Sequence, residues 1–188
     1  ILTMRKDLRA VLKSRYDGGK VVQIDFTSLE PRILLLMEGQ EAPEDIYEYI
    51  KIDVLENKVT RSVAKSATLG AIFGISSKKF QEISGLDDKV SRDVLRQVRK
   101  YFKIPDLSKK LREEVQSSCV DVSLLGFSDL INTFRSTDII FEPLFLIHDS
   151  IVIDIAPKSF EKILELVKKG VYNKKLQTIF PLTLEEIH

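Results

Sequence analysis

Apolar residues fill both arms of Leu144–Ile155 (LFLIHDSIVIDI), and a polar step, His148-Asp149-Ser150, separates them. Two β-prone runs divided by turn-forming residues predict a tight antiparallel hairpin with a carboxylate at its tip. Val21–Asp25 (VVQID) follows the Asp17-Gly18-Gly19 turn and predicts a short buried strand that ends on a second carboxylate. Leu29, Ile33, Leu36 and Met37 then recur at helical spacing, with Pro31 in the first turn and Gly39 at the end. Pro43 opens a helix to about Leu55, Thr60 caps one to about Ile72, Ser76-Ser77 starts one to Gly85, and Asp87-Asp88 caps one to about Phe102. Ile104-Pro105-Asp106 is a break, after which a helical reading runs from Leu107 to about Phe134. Pro157–Lys169 is amphipathic, with Phe160, Ile163, Leu164 and Val167 on one face, and Pro181–Ile187 returns as a last strand. The elements describe an α+β chain: a small antiparallel sheet with helices.

The helix after Thr60 carries Arg61, Lys65, Leu69 and Phe73 four apart. Each step advances about 400°, so the stripe drifts only about 40° per step and spans roughly 18 Å on one side. Two cations at one end and an aromatic at the other suit a triphosphate and a base. Gly70 and Gly74 leave backbone that something flat can approach. The plain alternative is an amphipathic helix with solvated cations and a buried Phe. Likewise, an isolated hairpin Asp commonly does no more than cap its own turn.

Composition sharpens this picture in one respect. With 188 residues and 44% hydrophobic content, the chain can bury a real core. No apolar run approaches a membrane span and no secretory signal opens the chain, which starts at Ile1 like an excised domain. Cys119 is the only cysteine, which excludes an internal disulfide and points to a reducing, cytoplasmic or organelle-matrix setting rather than secretion. Net charge is only +1, yet residues 58–112 hold 14 Lys and Arg against 5 Asp and Glu. A cationic block beside an acidic remainder suits a polyanion, although a solvated helical surface has the same composition.

Four stretches, in order, resemble the motifs of family A DNA polymerases, the class that includes bacterial DNA polymerase I and its phage relatives. Asp25-Phe26-Thr27-Ser28-Leu29-Glu30-Pro31-Arg32 resembles motif A, and Arg61-x3-Lys65-x4-Gly70-x2-Phe73-Gly74 resembles motif B. His148-Asp149 in its apolar hairpin resembles motif C, and Gln116–Asp121 (QSSCVD) is similar to the helix that precedes it. The resemblance implies a right-hand polymerase: palm at residues 1–40, helical fingers at 41–107, and palm again at 108–188. It covers no thumb and no 3′–5′ exonuclease segment.

It further implies template-directed DNA synthesis by two-metal-ion nucleotidyl transfer, with deoxynucleoside triphosphates and primer-template DNA as partners, and accessory replication proteins beyond them. Asp25, Asp149 and the Phe26 carbonyl would bind two Mg²⁺, or Mn²⁺ in their place. Arg61 and Lys65 would bind the triphosphate, with Lys65 also donating a proton to pyrophosphate. Phe73, Leu69 and Tyr47 would line the nucleotide site, and Glu30 would exclude a ribose 2′-hydroxyl. Gln116, His148, Arg9, Arg32, Gly70 and Gly74 would lie along the DNA.

The sequence departs from the family pattern at several points. Leu69 and Phe73 replace aromatic and Tyr residues, Tyr47 stands where a phosphate-contacting His is usual, and Ser150 replaces the Glu that commonly follows the motif C Asp. The Gly74–Gln116 interval is also short. A single-subunit phage-type RNA polymerase shares three motifs, but it carries a small residue where Glu30 stands. A non-catalytic nucleic-acid-binding fragment would gain nothing from keeping two mutually repelling carboxylates.

Overall fold

The computed structural model describes residues 11–104 and 109–187, so Arg9 and the Pro105 break lie outside the described residues. The chain divides into two units: residues up to Leu29 together with those from Cys119 onward, and Glu30–Ser118 between them. The family resemblance instead puts the divisions at 40/41 and 107/108.

The first unit is built on four antiparallel strands in the order β2-β3-β1-β6, where β1 is Lys20–Phe26, β2 Phe141–Ile147, β3 Ser150–Ile155 and β6 Leu182–Glu186. Alternation along β1 separates two faces. Val22, Ile24 and Phe26 point one way, opposite Ile153 and Ile151 of β3 and Leu184 and Leu182 of β6. The Phe26 ring packs between Phe127 (centroids 4.9 Å apart) and Phe180 (6.3 Å). Val21, Gln23 and Asp25 point the other way. There Val21, Ile147 and Val152 form a buried cluster with Leu12, Phe145 and Ile187 at its margin. Pro143, which cannot donate to a ladder, sits on edge strand β2 beside a register shift.

Helix α6 (Lys109–Arg135) supplies Phe127 through its second half, and α7 (Phe160–Lys168) buries Ile163 and Val167. A 3₁₀ turn at Pro157–Ser159 precedes α7, so the expected single helix begins in the tighter form. A two-stranded ribbon, β4 Val171–Asn173 with β5 Thr178–Phe180, was not foreseen, because three-residue strands are too short to show an alternation.

The second unit is helical: most of α1 (Leu29–Met37), α2 (Ile46–Tyr49), α3 (Arg61–Phe73), α4 (Ser77–Ser84), α5 (Asp88–Tyr101) and the start of α6. Ile33, Leu35, Ile46, Ile50, Ala67, Ile72, Phe80 and Val98 are all buried in it. Side chains of Asp45, Thr60, Ser76 and Asp87 accept the Glu48, Val63, Lys79 and Val90 amides, each such cap contributing about 1 kcal/mol. The helix expected from Pro43 starts instead at Ile46, because Asp45 captures the Glu48 amide, and it continues as a π-helical turn, Ile50–Val54.

Candidate functional site

Strand pairing assembles the first cluster. Asp25 lies opposite Ser150 in the β1–β3 ladder, and the Phe26 amide donates to the Asp149 carbonyl (3.3 Å). The two carboxylates, remote in sequence, therefore sit at one end of adjacent central strands. Burial raises the Asp25 pKa above the usual carboxylate value. A hydrogen bond from Gln23 opposes the rise, Asp149 adds repulsion, the Ser150 hydroxyl lowers it, and Glu185 adds further repulsion. Burial and like charges thus disfavour the charged form of this carboxylate.

The hairpin tip is a two-residue turn, His148-Asp149, in which exposed His148 takes a left-handed φ of 52°. That conformation lets the chain reverse between β2 and β3 in two residues. Ser150 is 1% exposed and its hydroxyl donates to the Ile147 carbonyl (2.8 Å), closing the turn. The serine at this position is thus a turn lock.

The second cluster belongs to the helical unit. Arg61 and Lys65 are exposed on α3, and Leu69 and Phe73 are half-buried, while Ala64, Ala67, Thr68 and Ala71 face the core. The stripe is therefore the outward side of α3. Tyr47 is buried, and its ring lies 5.6 Å from both the Arg61 guanidinium carbon and the Lys65 Nζ. Arg61 also grips Asp45 through Nε (3.0 Å to Oδ2) and Nη2 (2.8 Å to Oδ2). Burial pushes the Asp45 carboxyl up, but the Glu48 amide and Arg61 outweigh it and hold it below the usual range.

Arg32, Gly70 and Gly74 each have a structural part to play. Arg32, expected along DNA, is 7% exposed and donates to the Glu44 carbonyl (2.5 Å). Its guanidinium is a structural tie, and desolvation lowers its pKa against the pull of Asp45, Tyr47 and Glu44. Gly70 does not offer bare backbone to a ligand, because a Cβ there would lie 2.5 Å from Ile75 Cγ2, so Ile75 already fills the space. Gly74 ends α3 in a left-handed conformation (φ 75°) and sends its amide back to the Gly70 carbonyl. Glu30 is half-buried in the first turn of α1, and Gln116 is exposed on α6.

The sequence reading missed Gln23, Glu185 and Asp45. Gln23 had a signal, since residues two apart on a strand share a face. Glu185 lies opposite Gln23 on β6, a pairing visible only once the register is known. Among the described residues no three His, Cys, Asp or Glu side chains form a ready metal cage. Asp25 and Asp149 nonetheless offer the hard oxygen donors that suit Mg²⁺, which is commonly held by one or two carboxylates plus substrate phosphates.

The fold has a counterpart among solved structures. The chain is similar to the POL domain of Pol1 from M. smegmatis, solved in complex with DNA primer-template and dNTP, at a TM-score of 0.62 and 12% identity. The match covers 91% of this chain and 39% of that one, so this chain spans about two fifths of the neighbour's length. At that identity the likeness is one of fold. No protein-family model and no curated protein matches the sequence. No helix among the described residues is long and apolar enough to cross a membrane.

Proposed function

We propose that this chain is the palm-and-fingers part of a template-directed DNA polymerase. The observation that carries the reading is the β1–β3 pairing that brings Asp25 beside Asp149, in a fold shared with a polymerase domain. Asp25, Asp149 and the Phe26 carbonyl would hold two Mg²⁺, which when bound supply charge neutralisation and activation of the primer hydroxyl. Arg61 and Lys65, on the outward side of α3, bind the triphosphate of the incoming nucleotide. Tyr47 stiffens both cations from beneath. Lys65 holds the proton that the departing pyrophosphate needs. Phe73 meets the base and Glu30 rejects a 2′-hydroxyl by bulk.

Arg61 is paired with Asp45, so an incoming phosphate would exchange one anion for another on a guanidinium already oriented. The test is extension of a primed template by the protein with Mg²⁺ and either deoxy- or ribonucleotides. Deoxynucleotide incorporation that disappears in Asp25→Ala and in Asp149→Ala is expected. Preference for ribonucleotides would reassign the protein to RNA synthesis, and no incorporation at all would leave it a nucleic-acid binder.

A further inference from the structure

Gln23 is the polar neighbour that touches Asp25 most fully. Its Nε2 lies 3.0 Å from Asp25 Oδ1, 3.1 Å from Asp25 Oδ2 and 3.1 Å from Ser150 Oγ. The proton accounting fixes how the amide faces. Whichever oxygen takes the Ser150 proton, the Ile147 carbonyl or the Asp25 carboxylate, the Ser150 lone pairs are left for Gln23. One amide hydrogen goes to Ser150 and the other is shared between the two carboxylate oxygens. Reversing the amide would set its carbonyl against a carboxylate, which is repulsive. The Gln23 donor is therefore anchored from behind by the lock that closes the hairpin.

A nitrogen nearly equidistant from both oxygens takes the place between them that a chelated cation would need. Each Asp25 oxygen keeps its outward lone pairs. That arrangement favours one oxygen per ion over chelation of a single ion by both. Small octahedral cations such as Mg²⁺ and Mn²⁺ accept single oxygens, whereas Ca²⁺ readily takes a carboxylate with both. Building on the polymerase reading above, we propose that Gln23 is a positioning residue that orients Asp25 and sets its cation preference, excluding two-oxygen capture of Ca²⁺. It does so through Asp25 and without touching substrate.

The test is calorimetric titration of the 188-residue chain with Mn²⁺ and, separately, Ca²⁺, for the parent, Gln23→Met and Ser150→Ala. Met keeps the volume of Gln23 and removes both donors. Partners of metal ligands typically change affinity 10- to 100-fold. The expected result is a Mn²⁺-to-Ca²⁺ affinity ratio lowered about 10-fold in Gln23→Met, with an unchanged melting temperature. Ser150→Ala, which removes the rear anchor of the amide, should move the ratio the same way by less, and it carries the test if the Met variant fails to fold. An unchanged ratio in a folded variant overturns the role of Gln23 and leaves the polymerase reading standing. A parent that binds neither ion leaves Asp25 with no cation preference to set and also overturns the role of Gln23, while the primer-extension assay judges the polymerase reading separately.

Discussion

Gly126 is where helix α6 lets the Phe26 ring in, and adding one methyl there sets two known effects against each other. A Cβ at 126 would lie 2.7 Å from Phe26 Cζ and 3.1 Å from Val171 Cγ1. Comfortable carbon contacts fall at about 3.5–4.0 Å. Phe26 is 4% exposed and held between Phe127 and Phe180, so its ring has no free direction in which to retreat. Overpacking of this kind costs about 1–3 kcal/mol. Replacing Gly by Ala inside a helix returns about 1 kcal/mol. Gly126→Ala should therefore destabilise the chain by up to about 2 kcal/mol, a fall in Tm of several degrees for a chain of this size. In a Phe26→Leu background the offending ring atom is gone and only the 3.1 Å approach to Val171 Cγ1 remains, so the same change should be close to neutral, within about 1 kcal/mol. Urea denaturation of the four proteins gives the coupling directly. An equal effect of Gly126→Ala in both backgrounds would refute the claim that a missing Cβ makes room for this ring.

Three further outcomes follow from the two clusters. Asp25→Asn should raise stability in EDTA at neutral pH while abolishing extension, because a carboxyl whose pKa is raised on folding favours the fold only while protonated and loses that contribution as pH rises through its folded value. Denaturation with and without Mg²⁺ reads it, and a less stable Asn variant would oppose it. Asp45→Asn keeps a capping side chain but removes the charge facing Arg61; both groups are substantially exposed, so the loss should be about 0.2–1 kcal/mol. Since the Asp45 pKa is lowered, the difference between parent and variant should be full above about pH 4 and shrink as pH falls through the lowered value, as a series of denaturation curves would reveal. Lys65→Ala, at an exposed position, should leave stability within about 0.5 kcal/mol but slow nucleotide addition about 10²- to 10⁴-fold, measured by single-turnover extension.

The sequence showed most clearly those elements whose ends carry their own chemistry. Thr60, Ser76 and Asp87 cap α3, α4 and α5 where their side chains announced it, because a cap is a local bond between residues three apart. The hairpin around His148-Asp149 was legible for the same reason, since both arms and the turn are contiguous. The surroundings of Arg32 and Gly70 are not legible in the sequence, because they come from chain segments the local pattern does not contain: the Glu44 carbonyl for one, the fold-back of Ile75 for the other. Both residue types are compatible with a nucleic-acid surface and with a structural tie. Only burial separates the two uses.

The carboxylate edge is itself fixed by residues with no polar chemistry. A strand slipped by one residue turns every side chain to the other face. In the observed register Val22 and Ile24 meet Ile153 and Ile151, and all four are at most 3% exposed. Slipping β3 by one place would bring charged Asp154 and polar Ser150 to that apolar face and lift isoleucines to the other. Burying a polar group at that face without its hydrogen bond costs about 2–7 kcal/mol, comparable to or larger than the gain from any single hydrogen bond around Asp25. Apolar burial on one side of the sheet therefore decides that Gln23, Asp25 and Ser150 share the other. The same pairing sets Asp149 at the end of β3 nearest Asp25, so the site's like charges are held together by a core that does not touch them.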